Sequence, residues 1–168
     1  MAETQLRKYA VVEKLNKMEV DLITKAPDIA EATYQNGDLM AEQETINNAV
    51  AVKGGTCILQ SITAIDTSDT GGTIYVIFSE GGGTDLGTVG SAINATDAEG
   101  DNSLTIVELS NWIDIGGCKV CTKGNIGVVL QASSTMKQLY FGVVNASGGD
   151  IVIGSGEDIV FRFGVVKD

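Results

Sequence analysis

The chain has 168 residues and a formal net charge of −11, from 22 acidic and 11 basic residues. A chain of this length predicts one domain, and its acidity argues against partners such as nucleic acid or an anionic membrane surface. Histidine is absent, which removes the usual general base, the partner in Ser and Cys triads, and the commonest transition-metal ligand.

Residues 1–28 carry apolar side chains three or four positions apart, with Lys and Glu between them, and this spacing predicts an amphipathic helix. The apolar positions are Leu6, Tyr9, Val12, Leu15, Met18 and Leu22. Pro27 ends the pattern, because the residue before a proline is pushed out of the helical region. We therefore divide the chain into an N-terminal arm or helix, residues 1–28, and a β domain, residues 29–168.

Two interpretations of this N-terminal segment remain open. It could be a helix packed on its own sheet, or an arm that docks on a neighbouring subunit through its six apolar residues. The second is favoured, because about 20 helical residues reach about 30 Å. The segment lacks the apolar core of a signal peptide, and no run of about 18 apolar residues predicts a membrane span. We expect synthesis in a reducing cytosol.

From residue 29 onward the apolar period changes to two, which predicts short strands separated by Gly-rich turns. The predicted strands are residues 30–35, 44–52, 56–66, 73–78, 104–109, 118–122, 126–132, 138–145, 151–153 and 159–166. Such spacing, near ten residues with no helical pattern between, indicates an antiparallel β-sandwich or barrel. We predict an all-β, jelly-roll-like sandwich.

The most apolar stretch, residues 56–79, predicts two strands joined by a turn that contains Gly71 and Gly72. We expect these strands to form a hairpin. The stretch from residue 80 to 105 is rich in Gly and Asp and predicts a long loop, and such loops are usually functional or flexible. Residues 111–115, which hold the only tryptophan, Trp112, predict a turn.

Cys118 and Cys121 form a C-x-x-C pair. A zinc site needs two further ligands, and only Cys57 is left to add unless a carboxylate contributes. A redox pair of the thioredoxin type begins a helix, whereas this pair lies in a strand pattern. We therefore interpret the pair as two thiols near a strand edge, and we expect neither a metal nor a cofactor.

Two acidic turns offer oxygen ligands for Ca²⁺: one with Asp66 and Asp69, the other with Asp97 and Asp101. Neither has the twelve-residue spacing of a calcium loop, and Asp, Ser and Gly are ordinary turn formers. The serines have no histidine to activate them, and the glycine run at residues 81–83 is not followed by Lys and Ser or Thr, as a phosphate loop requires. We expect no catalytic residue and no enzyme activity.

Arg162 is the only arginine after residue 28 and lies within an apolar strand. If its guanidinium is buried, it needs a carboxylate, and Asp158 is the predicted partner, with Glu157 and Asp114 as further candidates. The alternative is an arginine on the outer face of an edge strand. The same strand, residues 159–166, and residues 75–78 are so apolar that we also expect self-association into a homotrimer.

Several strand and turn motifs follow one another over residues 56–166. They are LQSIT at 59–63, IF at 77–78, DAE at 97–99, LTIV at 104–107, TKGNIG at 122–127, LY at 139–140 and SGEDIVFRFG at 155–164. In this order they resemble a family of tailed-phage auxiliary capsid proteins that are encoded beside the major capsid protein. The chain departs from that family in its long N-terminal segment and in its Gly-rich stretch after residue 80.

The resemblance implies a decoration or cement protein on the outer surface of a phage capsid. Such a protein is a trimer, binds the major capsid protein and stabilises contacts between capsomers in the virion. The N-terminal apolar residues would then supply the partner contact. The alternative is a receptor- or carbohydrate-binding module of a head or tail fibre, and it requires Trp112, Tyr75 and Tyr140 to be exposed together on one face.

Overall fold

The computed structural model describes residues 19–81, 84–154 and 159–167. These residues form strands and one short helix: β1 Glu19–Lys25, β2 Ala32–Tyr34, β3 Leu39–Ile46, β4 Thr56–Asp66, β5 Ile74–Ser79, α1 Asp97–Asp101, β6 Ser103–Leu109, β7 Trp112–Asp114, β8 Lys119–Lys123, β9 Val128–Gln131, β10 Leu139–Asn145, β11 Ile151–Ile153 and β12 Ile159–Lys167. In these parts of the chain, no helix has the length and hydropathy to cross a membrane.

The strands form two main antiparallel sheets. The large sheet has the order β1-β12-β4-β8-β7, with β9 continuing along the edge of β4 beyond β8. The small sheet has the order β3-β10-β5-β6, and β2 pairs with β11 as a two-stranded ribbon. The predicted all-β antiparallel sandwich is confirmed.

The two sheets face each other across an aromatic cluster. Phe161 and Phe163 of β12 stack on each other and contact the small sheet, where the Phe163 ring centroid lies 5.1 Å from that of Phe141 and 5.7 Å from that of Phe78. All four rings are buried. Alternate residues of a strand point to opposite faces, so the period-two pattern of β12 places its odd-numbered side chains in this core.

The predicted hairpin at residues 56–79 is wrong, although both strands exist. β4 pairs with β12, β8 and β9 of the large sheet, whereas β5 pairs with β10 and β6 of the small sheet. Residues 67–73 therefore cross from one sheet to the other. Seven residues can span the roughly 10 Å between packed sheets, and both strands point apolar side chains into the same core.

The predicted N-terminal helix is wrong for residues 19–25, which form the edge strand β1. This strand pairs with β12 along its whole length, from Glu19 opposite Lys167 to Lys25 opposite Phe161. Two ion pairs hold it on its inner side: Asp21 Oδ2 lies 2.8 Å from Lys167 Nζ, and Lys25 Nζ lies 2.7 Å from Glu44 Oε2 of β3. Residues 1–18 lie outside the described residues.

Two further local predictions are wrong. The strand predicted over residues 44–52 begins and ends earlier, as β3, because its bulged register with β10 starts at Leu39. The turn predicted at residues 111–115 contains β7, which pairs with β8 at the edge of the large sheet. The long stretch after residue 80 includes α1, whose start is held by a hydrogen bond from the Thr96 amide to the Glu99 carboxylate.

Two truncated chains will distinguish the contribution of β1 to stability from that of the residues before it. We expect a chain that lacks residues 1–18 to melt as cooperatively as the full chain, since every described contact remains. Deletion of residues 1–28 removes β1, uncovers the edge of β12 and exposes Lys167, so the melting temperature should fall and aggregation should rise. Thermal denaturation followed by circular dichroism and light scattering measures both. Equal melting temperatures for the two truncated chains would contradict this role of β1.

The ion pair of Asp21 and Lys167 should make stability depend on acid pH. The hydrogen bond from Lys167 lowers the pKa of the Asp21 carboxyl in the folded chain. The pair therefore stabilises the fold at pH values above the unfolded pKa, and this stabilisation is lost as the pH falls through the folded pKa, below about pH 4. Asp21→Asn should lower the melting temperature at pH 7, with a difference from the wild type that shrinks below about pH 4. A difference that stayed constant with pH would refute the pairing.

Candidate interaction surface

The C-x-x-C pair lies in and just before β8, the strand next to the edge strand β7 of the large sheet. Cys121 is buried opposite Ala64 of β4, and this burial raises the pKa of its thiol. Cys118 precedes β8 and is half-buried, while Cys57 is buried on β4 opposite Leu130 of β9. Within the described ranges, no group of three His, Cys, Asp or Glu residues could hold a metal ion. The buried thiols pack in the core.

The acidic turn after β4 uses its carboxylate to fold the crossing between the sheets. Asp66 is buried, and its Oδ1 accepts hydrogen bonds from the Ser68 amide at 2.9 Å and the Ser68 hydroxyl at 2.6 Å. Its Oδ2 accepts the Gly71 amide at 2.7 Å. These oxygens satisfy backbone and hydroxyl donors, as an Asx turn does, and this agrees with the interpretation of the sequence as a turn.

The three aromatic residues that a sugar platform would need do not share a face. Trp112 lies in β7 of the large sheet, half-buried against the core, and its indole N–H donates to the Gly72 carbonyl. Tyr75 and Tyr140 lie on the small sheet, in β5 and β10. The carbohydrate-binding alternative requires these three rings to be exposed together on one face, and the structure does not place them so.

Arg162 is exposed on the outer face of β12. Its strand is an interior strand of the large sheet, and Arg162 lies opposite Thr24 of β1 and Thr63 of β4. Of the two alternatives, the structure therefore shows the outer-face position, although on an interior strand, because the odd-numbered residues of β12 occupy the core. Asp158 lies outside the described residues, so its pairing with Arg162 stays a prediction.

The outer face of the large sheet consists of cross-strand rows, which the register defines. One apolar row crosses four strands with Val160, Ile65, Val120 and Ile113. A second apolar row, at the other end, has Val20, Val166, Ile58 and Val129. Between them lie two further rows, which are Leu22, Gly164 and Ser61, and Thr24, Arg162, Thr63 and Thr122. Below, "the outer face" means these rows.

Large apolar side chains of the outer face are open to solvent. Val20 is 79% exposed, Ile113 67%, Val129 62% and Leu22 61%. Arg162 is the only charged side chain in the rows, although the whole chain carries a net charge of −11. Contiguous exposed apolar patches on a soluble protein mark interaction sites, so the outer face is the candidate functional surface.

The outer side of the small sheet is partly covered by the stretch after residue 80. Leu86 is buried there against Leu39, Ile77 and Val144. Its amide donates to Glu42 Oε1 at 2.6 Å, and burial raises the pKa of that carboxyl. The long stretch thus has a packing role, which its Gly-rich sequence did not indicate.

An open groove lies on the uncovered part of the small sheet. Its volume is about 490 Å³, and apolar side chains line much of it, among them Tyr75, Ile77, Ile93, Ile106 and Val144. Tyr75, Ile93 and Ile106 are also exposed. The groove is a second apolar surface.

One of the six predicted N-terminal contact residues is described, and it belongs to the outer face. Leu22 lies on β1 opposite Gly164. Leu6, Tyr9, Val12, Leu15 and Met18 lie outside the described residues, and their role stays a prediction. Sequence reasoning missed the rows themselves, since Ile113, Val120 and Val129 become neighbours of β4 and β12 only through strand pairing.

Comparison of the chain with protein-family models and with curated proteins finds no match. The resemblance to phage auxiliary capsid proteins therefore remains a prediction from its motifs.

Proposed function

We propose that this chain is a virion structural protein that decorates the outer surface of a tailed-phage capsid and stabilises contacts between capsomers. Its partner is the major capsid protein, and its role is binding without chemistry. The observation that carries the proposal is the outer face, a broad apolar surface of one sheet on an otherwise strongly acidic molecule. Its site of action is the virion, after synthesis in the host cytoplasm.

The outer face suits cementing because short-range apolar burial must supply the binding energy. An acidic protein gains little from long-range attraction to an acidic or neutral shell. Full burial of a Val, Leu or Ile side chain contributes roughly 1.5–3 kcal/mol before ordering costs. Val20, Leu22, Ile113 and Val129 are exposed, and they lie on a paired sheet whose backbone is already ordered, so less entropy is lost on docking.

The location of the family motifs in the fold supports the proposal. LQSIT lies in β4, and residues 159–164 of the last motif lie in β12, which pairs with β4 so that Ile62 lies opposite Phe163. TKGNIG leads from β8 into β9, both of which pair with β4. Three of the motifs therefore build adjacent strands of the large sheet, the sheet that carries the outer face.

The proposal includes a homotrimer. Most side chains of the apolar strands from which self-association was predicted fill the core: Phe161, Phe163 and Phe78 are buried. The groove on the small sheet is a second apolar surface among the described residues, and we assign the contact between copies to it. This leaves the outer face for the capsid, and three copies would add avidity.

Binding to capsids tests the function. Phage heads that are assembled from the partner major capsid protein and lack this chain should bind the added wild-type chain in a cosedimentation assay. Val129→Asp introduces a charge on the outer face, and we expect at least a tenfold loss of binding with little change in melting temperature. Val52→Asp is the matched control, because Val52 is also exposed, at 59%, but lies between β3 and β4 and outside the rows. Wild-type chain that stayed in the supernatant would overturn the proposal.

The oligomeric state tests the trimer separately. Size-exclusion chromatography with light scattering should give three times the chain mass of 17.5 kDa for the wild type. Ile106→Asp places a charge at the groove and should shift the protein to the monomer, while Val129→Asp should leave the trimer intact. A wild-type monomer at high concentration that still binds heads would refute the trimer alone.

A further inference from the structure

Arg162 lies at the middle of the outer face without a described acidic neighbour. The ion pairs within the described residues join Lys25 to Glu44 and Lys167 to Asp21, and neither involves Arg162. Arg162 is exposed, while the rows at the two ends of the face are apolar. A single positive charge on an apolar surface of a molecule of net charge −11 indicates what kind of group the surface can accept.

Hydroxyl groups flank Arg162 on both sides of its strand. Thr24 on β1 and Thr63 on β4 are its direct cross-strand neighbours. Directly opposite side chains on one face have Cβ atoms about 4.5–5.5 Å apart. Thr63 Oγ1 lies 3.2 Å from Thr122 Oγ1 on the next strand, and either hydroxyl can be the donor of this hydrogen bond. The row therefore presents a guanidinium and several hydroxyl groups along one line.

The donors in this row match a carboxylate. A guanidinium carries five N–H donors in a planar fork that binds a carboxylate through two parallel hydrogen bonds, and Thr24 and Thr63 can each donate one more. Covering the apolar rows with a partner would exclude water, and a charge-assisted hydrogen bond is stronger in a dry environment. The outer face thus offers a built receptor for an acidic side chain within an apolar surface.

A second copy of this chain fits the outer face poorly. In a two-fold, face-to-face dimer the same patch meets itself, which would bring Arg162 of one copy towards Arg162 of the other. Like charges in an interface oppose such pairing. The charge pattern therefore favours a different protein.

We propose that the outer face binds the capsid protein through one of its carboxylate side chains, which docks on Arg162, Thr24 and Thr63 while the apolar rows pack around it. This inference rests on the proposed function and names the chemistry of the partner surface. Arg162 is then a specificity-determining residue, because it binds more tightly to a surface that presents Asp or Glu among apolar groups. A purely apolar surface would leave the guanidinium buried without a partner.

The test measures binding to heads that lack this protein, by cosedimentation over a range of concentrations. Arg162→Gln should weaken binding at least tenfold, and Arg162→Glu should weaken it more. Arg162→Lys should be intermediate, because the charge remains and the planar fork is lost. Lys53→Gln is the matched control: it removes the same charge from an exposed turn between β3 and β4 and should bind as the wild type does. Melting temperatures of all variants should lie close to that of the wild type.

The possible outcomes distinguish this inference from the proposed function. Wild-type chain that does not bind heads overturns the function itself. If Arg162→Gln binds heads with wild-type affinity while Val129→Asp does not bind, the carboxylate contact is overturned and the proposed capsid binding is supported. If Arg162→Gln and Asp158→Asn instead lower the melting temperature equally without changing binding, Arg162 serves an internal pair and the inference is wrong. A change of mass in Arg162→Gln by light scattering would identify a second copy as the occupant and would also overturn it.

Discussion

The pairing of β12 with β1 on one side and β4 on the other is the constraint on which the rest of the structure depends. This pairing fixes the direction of every side chain in β12, so that Phe161 and Phe163 lie in the core and Arg162 lies outside. A register slip of one residue would exchange the two sets. Burial of two phenylalanines against Phe141 and Phe78 makes such a slip costly, so core packing determines the composition of the outer face.

The parts of the fold that sequence predicts well are those set by alternation within one strand. IVFRFGVV at residues 159–166 alternates so clearly that the division of its side chains between two faces follows from the pattern alone. Pairing between strands does not follow, because β4 and β5 carry equally apolar inner faces and a turn-rich connection, which fit a hairpin and a crossing between sheets alike. Residues 19–25 fit a helix and a strand alike. Leu22 continues the helical spacing of three and four, while Val20, Leu22 and Thr24 also alternate with Asp21 and Ile23, as in a strand. The edge of β12 decides in favour of the strand.

The candidate surface is harder to predict than the fold, because it is a property of register. Val20, Ile58, Val129 and Val166 are far apart in the sequence, and each alone is an ordinary residue of a half-buried strand. They become one row only when four strands are aligned. Arg162 illustrates the same limit. Its sequence context, an apolar strand, fits either a buried pair or an exposed position, and only the aromatic cluster on the opposite side of β12 decides between them.

The charge distribution of this surface has two physical effects that act in the same direction. A sheet face with four exposed apolar side chains invites stacking on another such face, and natural sheets oppose this with a charge placed on the face. Arg162 has this effect, because face-to-face copies would bring two guanidinium groups together. In the proposed complex the same charge attracts a carboxylate on a different protein, so that one residue would disfavour the wrong partner and favour the right one. A threonine at this position would keep the sheet and its stability, since the side chain is exposed, and would lose both effects. The proposed contact with a partner carboxylate would therefore give Arg162 a role in the choice of partner.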